Sequence, residues 1–165
     1  MTTPRSPTVI ADAAHNPAGM AASVAAVTEE FSFTRLVGVL AVSADKDVAG
    51  MLDDLEPVLS DLVVTRNSAD RSMPPEELAE LARDVFGTDR VQVAARMDDA
   101  IDLAVALADD APDAELPGAG GVLITGSVVT AGDARQLLRP GDGTGDAPKP
   151  GAAPGRHSFT AADLS

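Results

Sequence analysis

Residues 36–42 read Leu-Val-Gly-Val-Leu-Ala-Val, seven apolar positions in succession without a charged or hydroxyl-bearing side chain. A strand buried on one face alternates apolar and polar residues, whereas an unbroken apolar run is typical of a strand buried on both faces. Strands of that kind belong mainly to parallel sheets that have helices packed on each side. We therefore predict that this stretch lies in the middle of an α/β fold.

The sequence on either side of this stretch alternates between short apolar runs and longer amphipathic segments. In the first amphipathic segment Met20, Val24, Val27 and Phe31 recur at helical spacing. The same alternation predicts strands at 9–11, 62–65, 91–93 and 121–125, and helices at 17–31, 48–55, 74–86, 97–108 and 131–138. Successive strand-then-helix units favour a mostly parallel, Rossmann-like sheet with helices on both faces.

The third predicted helix shows how the inward faces are assigned. Its apolar residues at helical spacing are Leu78, Leu81, Ala82 and Val85, so we expect these to face the sheet. Gly87 follows directly and is placed to end the helix.

The composition divides the chain into three parts. Residues 1–8 form an N-terminal segment, and residues 9–138 hold the strands and helices of one domain. Residues 139–165 are rich in Gly, Pro, Ala and Asp and have no apolar periodicity. We expect this last part to be a disordered tail.

The charge and the missing residue types exclude several classes of function. Lysine and arginine total 12 against 26 acidic residues, a formal net charge of -14, which disfavours binding to nucleic acid or to an anionic membrane. The absence of cysteine excludes disulfides, thiolate metal sites and cysteine nucleophiles. No apolar run approaches the roughly 18 residues of a spanning helix, and Met1–Pro7 lacks the pattern of a secretory signal. We expect a soluble cytoplasmic protein.

Polar residues follow three of the predicted strands at the points where those strands end. In open parallel sheets, ligands bind beyond the carboxyl ends of the strands. The polar residues placed at that edge are Asp12, His15 and Asn16 after the first strand, Asp45 and Lys46 after the second, and Thr125 and Ser127 after the last. Their convergence predicts a binding site.

Each of these residues also has an ordinary structural explanation. Asn16 followed by Pro17 is typical of a helix cap, Asp12 suits an Asp-turn, and His15 suits an exposed loop. Lys46 lies between two aspartates in a turn that could simply be solvated, or it could meet a phosphate or carboxylate. Ser127 could serve strand-to-helix turn chemistry, or the turn could offer backbone N–H groups to an anion. The residues alone leave these alternatives open.

Several familiar catalytic motifs are missing from the sequence. It contains no Gly-x-x-x-x-Gly-Lys-Ser/Thr loop for phosphates and no Gly-x-Gly-x-x-Gly fingerprint for a dinucleotide. Two histidines leave little room for a histidine metal cluster, and we predict no metal ligands in this chain.

Three motifs resemble the C-terminal domain of folylpolyglutamate synthase/dihydrofolate synthase, a member of the Mur-ligase family. They are Asp-Ala-Ala-His-Asn-Pro at 12–17, Val-Gly-Val-Leu at 37–40 running to Asp-Lys-Asp at 45–47, and Ile-Thr-Gly-Ser at 124–127. They occur in the order and approximate spacing of that family. The resemblance covers roughly Val9 to Leu138.

The resemblance implies an ATP-dependent ligase that uses Mg2+. Such enzymes phosphorylate the carboxylate of dihydropteroate or a folate, and the amino group of L-glutamate then attacks the acyl phosphate. The resemblance places the phosphate loop and the magnesium ligands in a preceding ATPase domain, which this chain lacks, so the chain alone should be inactive. It further implies that Asp12 contacts the nucleotide ribose, that His15 and Ser127 lie near the incoming glutamate, and that Asn16 and Lys46 assist the nucleotide.

Two other interpretations compete with a ligase domain. The chain could be a free-standing, non-catalytic binding or regulatory module of the same fold. A receiver-like domain would need an acidic pair after its first strand, and Asp12 has no acidic neighbour there. An upstream, in-frame phosphate loop would decide between the ligase and the free-standing module.

Overall fold

The computed structural model describes residues 8–30, 35–109 and 120–138. The strands are β1 Thr8–Ala11, β2 Arg35–Leu40, β3 Asp61–Val64, β4 Val91–Val93 and β5 Gly120–Thr125. The α-helices are α1 Pro17–Glu30, α2 Val48–Leu55, α3 Pro75–Phe86, α4 Met97–Asp109 and α5 Val128–Leu138. Our expectations for Phe31, for residues 1–7 and for the tail at 139–165 lie outside the described residues.

The strands form one parallel sheet, as the alternation of strand and helix predicted. Their order in the sheet is β1-β5-β2-β3-β4, so the last strand lies between the first two. Strand β2 pairs on both sides, and Val39 stands in register with Ile124 of β5 and Val63 of β3. The apolar run at 36–42 therefore falls in the middle of the sheet, which explains why it carries no polar side chain.

Alternate residues of each strand enter two separate cores. Leu40, Leu62 and Leu123 face α1, α2 and α3, whereas residues such as Val39 and Val122 face α4 and α5. The prediction of helices on both faces is confirmed. Helix α5, which follows β5, packs on the opposite face of the sheet from α1, which follows β1. The crevice between these strands is therefore of the kind that commonly holds ligands.

One arginine ties the ends of α2 and α3 together beside the beginnings of β3 and β4. The guanidinium group of Arg90 donates to the carbonyl oxygens of Leu59 at 2.7 Å and Glu56 at 3.0 Å and to the Glu56 carboxylate at 2.9 Å. Its central carbon lies 4.8 Å from the centre of the Phe86 ring. Arg90 thus has a structural role at this end of the sheet.

Two details of the helices differ from the sequence prediction. Leu81 is 37% exposed and Val85 is half-buried, whereas Phe86 and Ala79 are buried with Leu78 and Ala82, so the inward stripe of α3 is rotated from the predicted one. Helix α5 begins at Val128 and not at residue 131, because the Ser127 hydroxyl accepts a hydrogen bond from the Thr130 N–H and caps it.

Candidate functional site

The first loop at the carboxyl edge comprises residues 12–16. It is anchored by hydrogen bonds of the Asp12 side chain. This carboxylate is fully buried and accepts three hydrogen bonds: from the Ser23 hydroxyl at 2.8 Å, the Thr125 hydroxyl at 2.8 Å and the Ala14 N–H at 3.0 Å. The last of these is the Asp-turn. Asp12 therefore joins the ends of β1 and β5 to α1. Both carboxylate oxygens already accept hydrogen bonds within the chain. The contact of Asp12 with a nucleotide ribose stays a prediction.

The other two predicted residues of this loop are exposed. The Asn16 side-chain oxygen accepts the Gly19 N–H at 2.7 Å, which makes Asn16 the cap of α1. His15 projects from the loop, and its Nδ1 lies 3.3 Å from the Ala13 carbonyl oxygen. The other ring nitrogen of His15, Nε2, has no partner among the described residues.

The second loop carries Lys46 between two aspartates that have structural partners. Asp47 caps α2 by accepting the Gly50 N–H at 3.0 Å, and Asp45 pairs with Arg71 at 3.2 Å on the surface. A hydrogen bond from Ser43 is the main cause that lowers the pKa of Asp45 below its usual value. Lys46 is exposed and makes no ion pair with any described residue.

The first two loops are brought together by the packing of their helices. A methyl group placed on Gly50 would lie 2.8 Å from Cγ of Pro17, so the first turn of α1 rests against the first turn of α2. His15 and Asn16 directly precede the first turn of α1. Lys46 directly precedes Asp47, the N-cap of α2. The structure therefore places the predicted residues of both loops on one side of the carboxyl edge.

The third loop joins β5 to α5 through Gly126 and Ser127. Gly126 has a φ of +127°, and a side chain there would overlap the carbonyl oxygen of Ala41, at the end of β2. Ser127 is buried, and its hydroxyl lies 3.0 Å from the Thr130 hydroxyl and 3.2 Å from the Asn67 side-chain nitrogen. This loop is thus packed tightly on the end of the neighbouring strand.

Asn67 and Thr130 were not predicted as site residues. Asn67 follows β3 and lies outside the predicted strands and helices, whereas Thr130 lies inside α5. The available signal was Ser127 itself, because serine is a preferred residue at a helix N-cap. No local pattern indicates that a residue sixty positions earlier completes the contact.

A cleft of about 420 Å³ lies beside Asn67, also unpredicted. Its lining includes Arg66, Arg96, Asp98 and Asp133 from the loops after β3 and β4 and from α4 and α5. Arg96 forms a two-bond ion pair with Asp98 at 2.8 and 3.0 Å, which lowers the pKa of the Asp98 carboxyl. The two arginines are balanced by two carboxylates, so the cleft has no net charge from its lining.

Two classes of feature are absent from the part of the chain that the structure describes. Within residues 8–30, 35–109 and 120–138, no group of three or more His, Asp or Glu side chains is arranged to hold a metal ion. None of the helices in those ranges is long and apolar enough to cross a membrane.

A parallel sheet whose polar loops meet beyond the ends of β1, β2 and β5 defines the class: an α/β domain with its polar loops at the carboxyl edge, where ligands of such sheets commonly bind. A family model described as "Mur ligase, glutamate ligase domain" matches residues 1–128. The chain belongs to this family, as its three sequence motifs implied.

Known proteins of this family resemble the chain in both sequence and fold. It is 51% identical over 137 residues to a dihydrofolate synthase/folylpolyglutamate synthase of Mycobacterium tuberculosis, and the match covers 80% of the chain and 28% of that protein. The structure of M. tuberculosis folylpolyglutamate synthase complexed with ADP matches with a TM-score of 0.76 and 47% identity, over 90% of this chain and 34% of that one. The structure of Escherichia coli FolC in complex with DHPP and ADP matches with a TM-score of 0.66 and 25% identity, over 84% of this chain and 30% of that one. The chain thus spans about a third or less of these relatives.

Proposed function

We propose that this chain is the C-terminal domain of an ATP-dependent folate ligase, where it seats the incoming L-glutamate and completes the ATP site. The observation that carries the proposal is the meeting of the three motif loops at one edge of the sheet. Asp12 and Thr125 join two of them at 2.8 Å, and the contact between Pro17 and Gly50 joins the third. The name of the M. tuberculosis relative and the ADP in two similar structures support it.

The reaction that we propose joins L-glutamate to the carboxylate of dihydropteroate or a folate. ATP phosphorylates that carboxylate, the glutamate amine attacks the acyl carbon, an amide forms, and phosphate leaves with ADP as the other product. The acyl phosphate must be kept from water until the amine arrives, and a separate domain that carries the amine can also close the cleft. The cytoplasmic location expected from the sequence remains part of the proposal.

The residues present fit a division of labour with a preceding ATPase domain. Lys46 is one of two lysines in the chain, lies in no phosphate loop, and has no carboxylate cluster for Mg2+ among the described residues beside it. We therefore assign the phosphate and magnesium sites to the other domain, where the metal would neutralise phosphate charge. Lys46 is an exposed cation that this chain can bring to the closed site.

We divide the remaining roles by exposure. His15 is exposed, so its ring is free to contact the glutamate. The side-chain oxygens of Asp12 and Asn16 are engaged by donors of the chain itself, so we propose that they serve the nucleotide by fixing the shape of the 12–16 loop. We place Ser127, which caps α5, near the incoming glutamate, as the family resemblance implies.

The proposal predicts that the purified chain neither hydrolyses ATP nor ligates glutamate by itself. A chimera in which the chain replaces the matched 137 residues of the M. tuberculosis relative should sustain repeated ADP release only when ATP, dihydropteroate and L-glutamate are all present. The remainder of that relative without the chain is the negative control, and the unaltered relative is the positive one. A folded chimera without glutamate-dependent turnover would contradict the proposal and favour the non-catalytic module. Turnover by the chain alone would contradict the division between domains.

In the active chimera, His15→Ala should reduce kcat/KM for glutamate by about tenfold to a hundredfold, the loss of one hydrogen bond to a charged group. The KM for ATP should stay nearly unchanged, because we place His15 at the glutamate side. Folding should be little affected, since the side chain is exposed. Glu80→Ala, an exposed change on α3, is the control and should alter neither KM. Equal rises in both KM values would contradict the assignment of His15 to glutamate.

A further inference from the structure

One buried amide connects the three loops that follow β2, β3 and β5. The Asn67 side-chain nitrogen donates to the Thr130 hydroxyl at 2.9 Å and to the Ser127 hydroxyl at 3.2 Å. The Thr130 hydroxyl in turn donates to the Ala41 carbonyl oxygen at 2.7 Å. We call Asn67, Ser127, Thr130 and the Ala41 carbonyl the Asn67 cluster.

The orientation of the Asn67 amide follows from its neighbours. Its side-chain oxygen accepts the Ala69 N–H at 2.9 Å, so its nitrogen must face the two hydroxyls. The amide carries two hydrogens, one for each hydroxyl oxygen. The backbone N–H of Asn67 donates to Ser72 at 2.9 Å, and the residue is 6% exposed. Both polar atoms of the Asn67 side chain therefore have hydrogen-bond partners within the protein.

The hydrogen-bond inventory of Ser127 is full within the Asn67 cluster. Because the one hydroxyl hydrogen of Thr130 goes to Ala41, the 3.0 Å contact between the two hydroxyls requires Ser127 to be the donor. The Ser127 oxygen accepts from the Thr130 N–H and from Asn67. The hydroxyl thus has one donated and two accepted bonds, all inside the protein, and none is left for a substrate.

We propose that Asn67 is a positioning residue of the ligase site, which fixes the start of α5 through Ser127. On this account Ser127 acts on the incoming glutamate through the position of the α5 first turn, and its hydroxyl does not touch the substrate. The inference rests on the proposed function, and it identifies a residue that none of the three sequence motifs contains. Thr130 acts with Asn67, because it ties the same turn to the end of β2.

The test compares single and double variants of the cluster in the chimera. Asn67→Ala and Thr130→Val should each lower kcat/KM for glutamate about tenfold, and so should Ser127→Ala, since each removes a hydrogen bond from the same unit. The double variant Asn67→Ala/Ser127→Ala should be no more than about threefold worse than either single one, because residues that act as a unit are not additive. The KM for ATP should stay within about twofold of the unaltered chimera in every case.

Two variants separate positioning from a general loss of packing. Thr130→Ser keeps the hydroxyl and should recover most of the activity that Thr130→Val loses. Ser68→Ala removes a different tie between the same loop and α5, the 2.9 Å bond from Ser68 to Asp133, and should leave the glutamate KM unchanged. If Ser127→Ala is far more damaging than Asn67→Ala and the pair is additive, the Ser127 hydroxyl touches substrate and the inference is wrong.

A measurement on the chain itself tests the same idea without turnover. In Asn67→Ala the Thr130 N–H, whose acceptor is the Ser127 oxygen, should exchange with solvent about tenfold faster, whereas the core amide of Ile124 should not change. Unchanged exchange at Thr130 would overturn the positioning role. An unaltered chimera without activity would count against the proposed function alone. A normal glutamate KM in the Asn67→Ala and Thr130→Val variants of an active chimera would count against this inference alone.

Discussion

Replacing Gly126 by alanine should lower the free energy of unfolding of this chain by more than about 4 kcal/mol, a loss that single substitutions seldom cause. The backbone there has a φ of +127°, and an added Cβ would overlap the Ala41 carbonyl oxygen and lie 2.9 Å from its carbon. These neighbours are backbone atoms at the end of the central strand β2, so they cannot move aside cheaply. The Ala41 oxygen also accepts the Thr130 hydroxyl, and the substitution should therefore disturb the Asn67 cluster too.

Two other glycines of the chain separate the causes of this loss. Gly87 has a φ of +92° but open space around the position of a side chain, so Gly87→Ala should cost about 1–3 kcal/mol from backbone strain alone. Gly132 lies within α5 with no atom near the site of a Cβ, and Gly132→Ala should stabilise by about 0.5–1 kcal/mol. Urea unfolding of the four proteins gives the comparison. A cost at Gly126 no larger than that at Gly87 would mean that the Ala41 contact is not tight.

The architecture was predictable because its signals are local. The apolar run at 36–42 requires burial on both faces, and the strands and helices alternate as the sequence predicts. Apolar residues also recur at helical spacing in α2 and α4, where Met51 and Ile101 are buried. The strand order was not predictable in this way. Insertion of β5 between β1 and β2 depends on long-range pairing, such as Val122 against Val9 and Val37, and no single segment records it.

The loops of the candidate site were predictable, but the state of each side chain was not. A polar residue after a buried strand is placed at the carboxyl edge by the topology of any parallel sheet, and that covers Asp12, Lys46 and Ser127. Whether such a residue faces solvent depends on partners far along the chain. Thr125 and Ser23 donate hydrogen bonds to the buried Asp12, and Asn67 donates one to Ser127. The Lys46 side chain makes no ion pair with any described residue.

This difference divides the motif residues into two groups with separate consequences for mutation. Buried residues with complete hydrogen bonds shape the edge, so their removal should cost stability as well as activity. Removal of exposed side chains such as His15 and Lys46 should lower activity without a loss of stability. A replacement that keeps shape and hydrogen bonds can separate the two contributions at a buried position, and Asp12 offers such a replacement.

Asp12→Ala should destabilise the chain by about 3–5 kcal/mol, because it leaves the buried Ser23, Thr125 and Ala14 donors without their acceptor. Asp12→Asn should cost only about 1 kcal/mol, since an amide of the same shape can keep these contacts. Its oxygen would accept from Ala14 and Thr125, and its nitrogen would donate to the Ser23 hydroxyl, which turns to accept. Urea unfolding measures both changes, and nearly equal costs would show that the carboxylate charge itself is required.

The same asparagine variant then tests how Asp12 serves the nucleotide in the chimera. The carboxylate is fully buried, so if it acts by holding the 12–16 loop, Asp12→Asn should raise the KM for ATP by less than about threefold. A direct bond to the ribose needs this loop to open, and its loss would raise that KM by about tenfold or more. Since the variant stays folded under either account, the size of the ATP effect decides between them. A tenfold rise would restore the ribose contact expected from the family resemblance and contradict the loop-holding role, whereas a normal KM leaves Asp12 as the buried support of the loop.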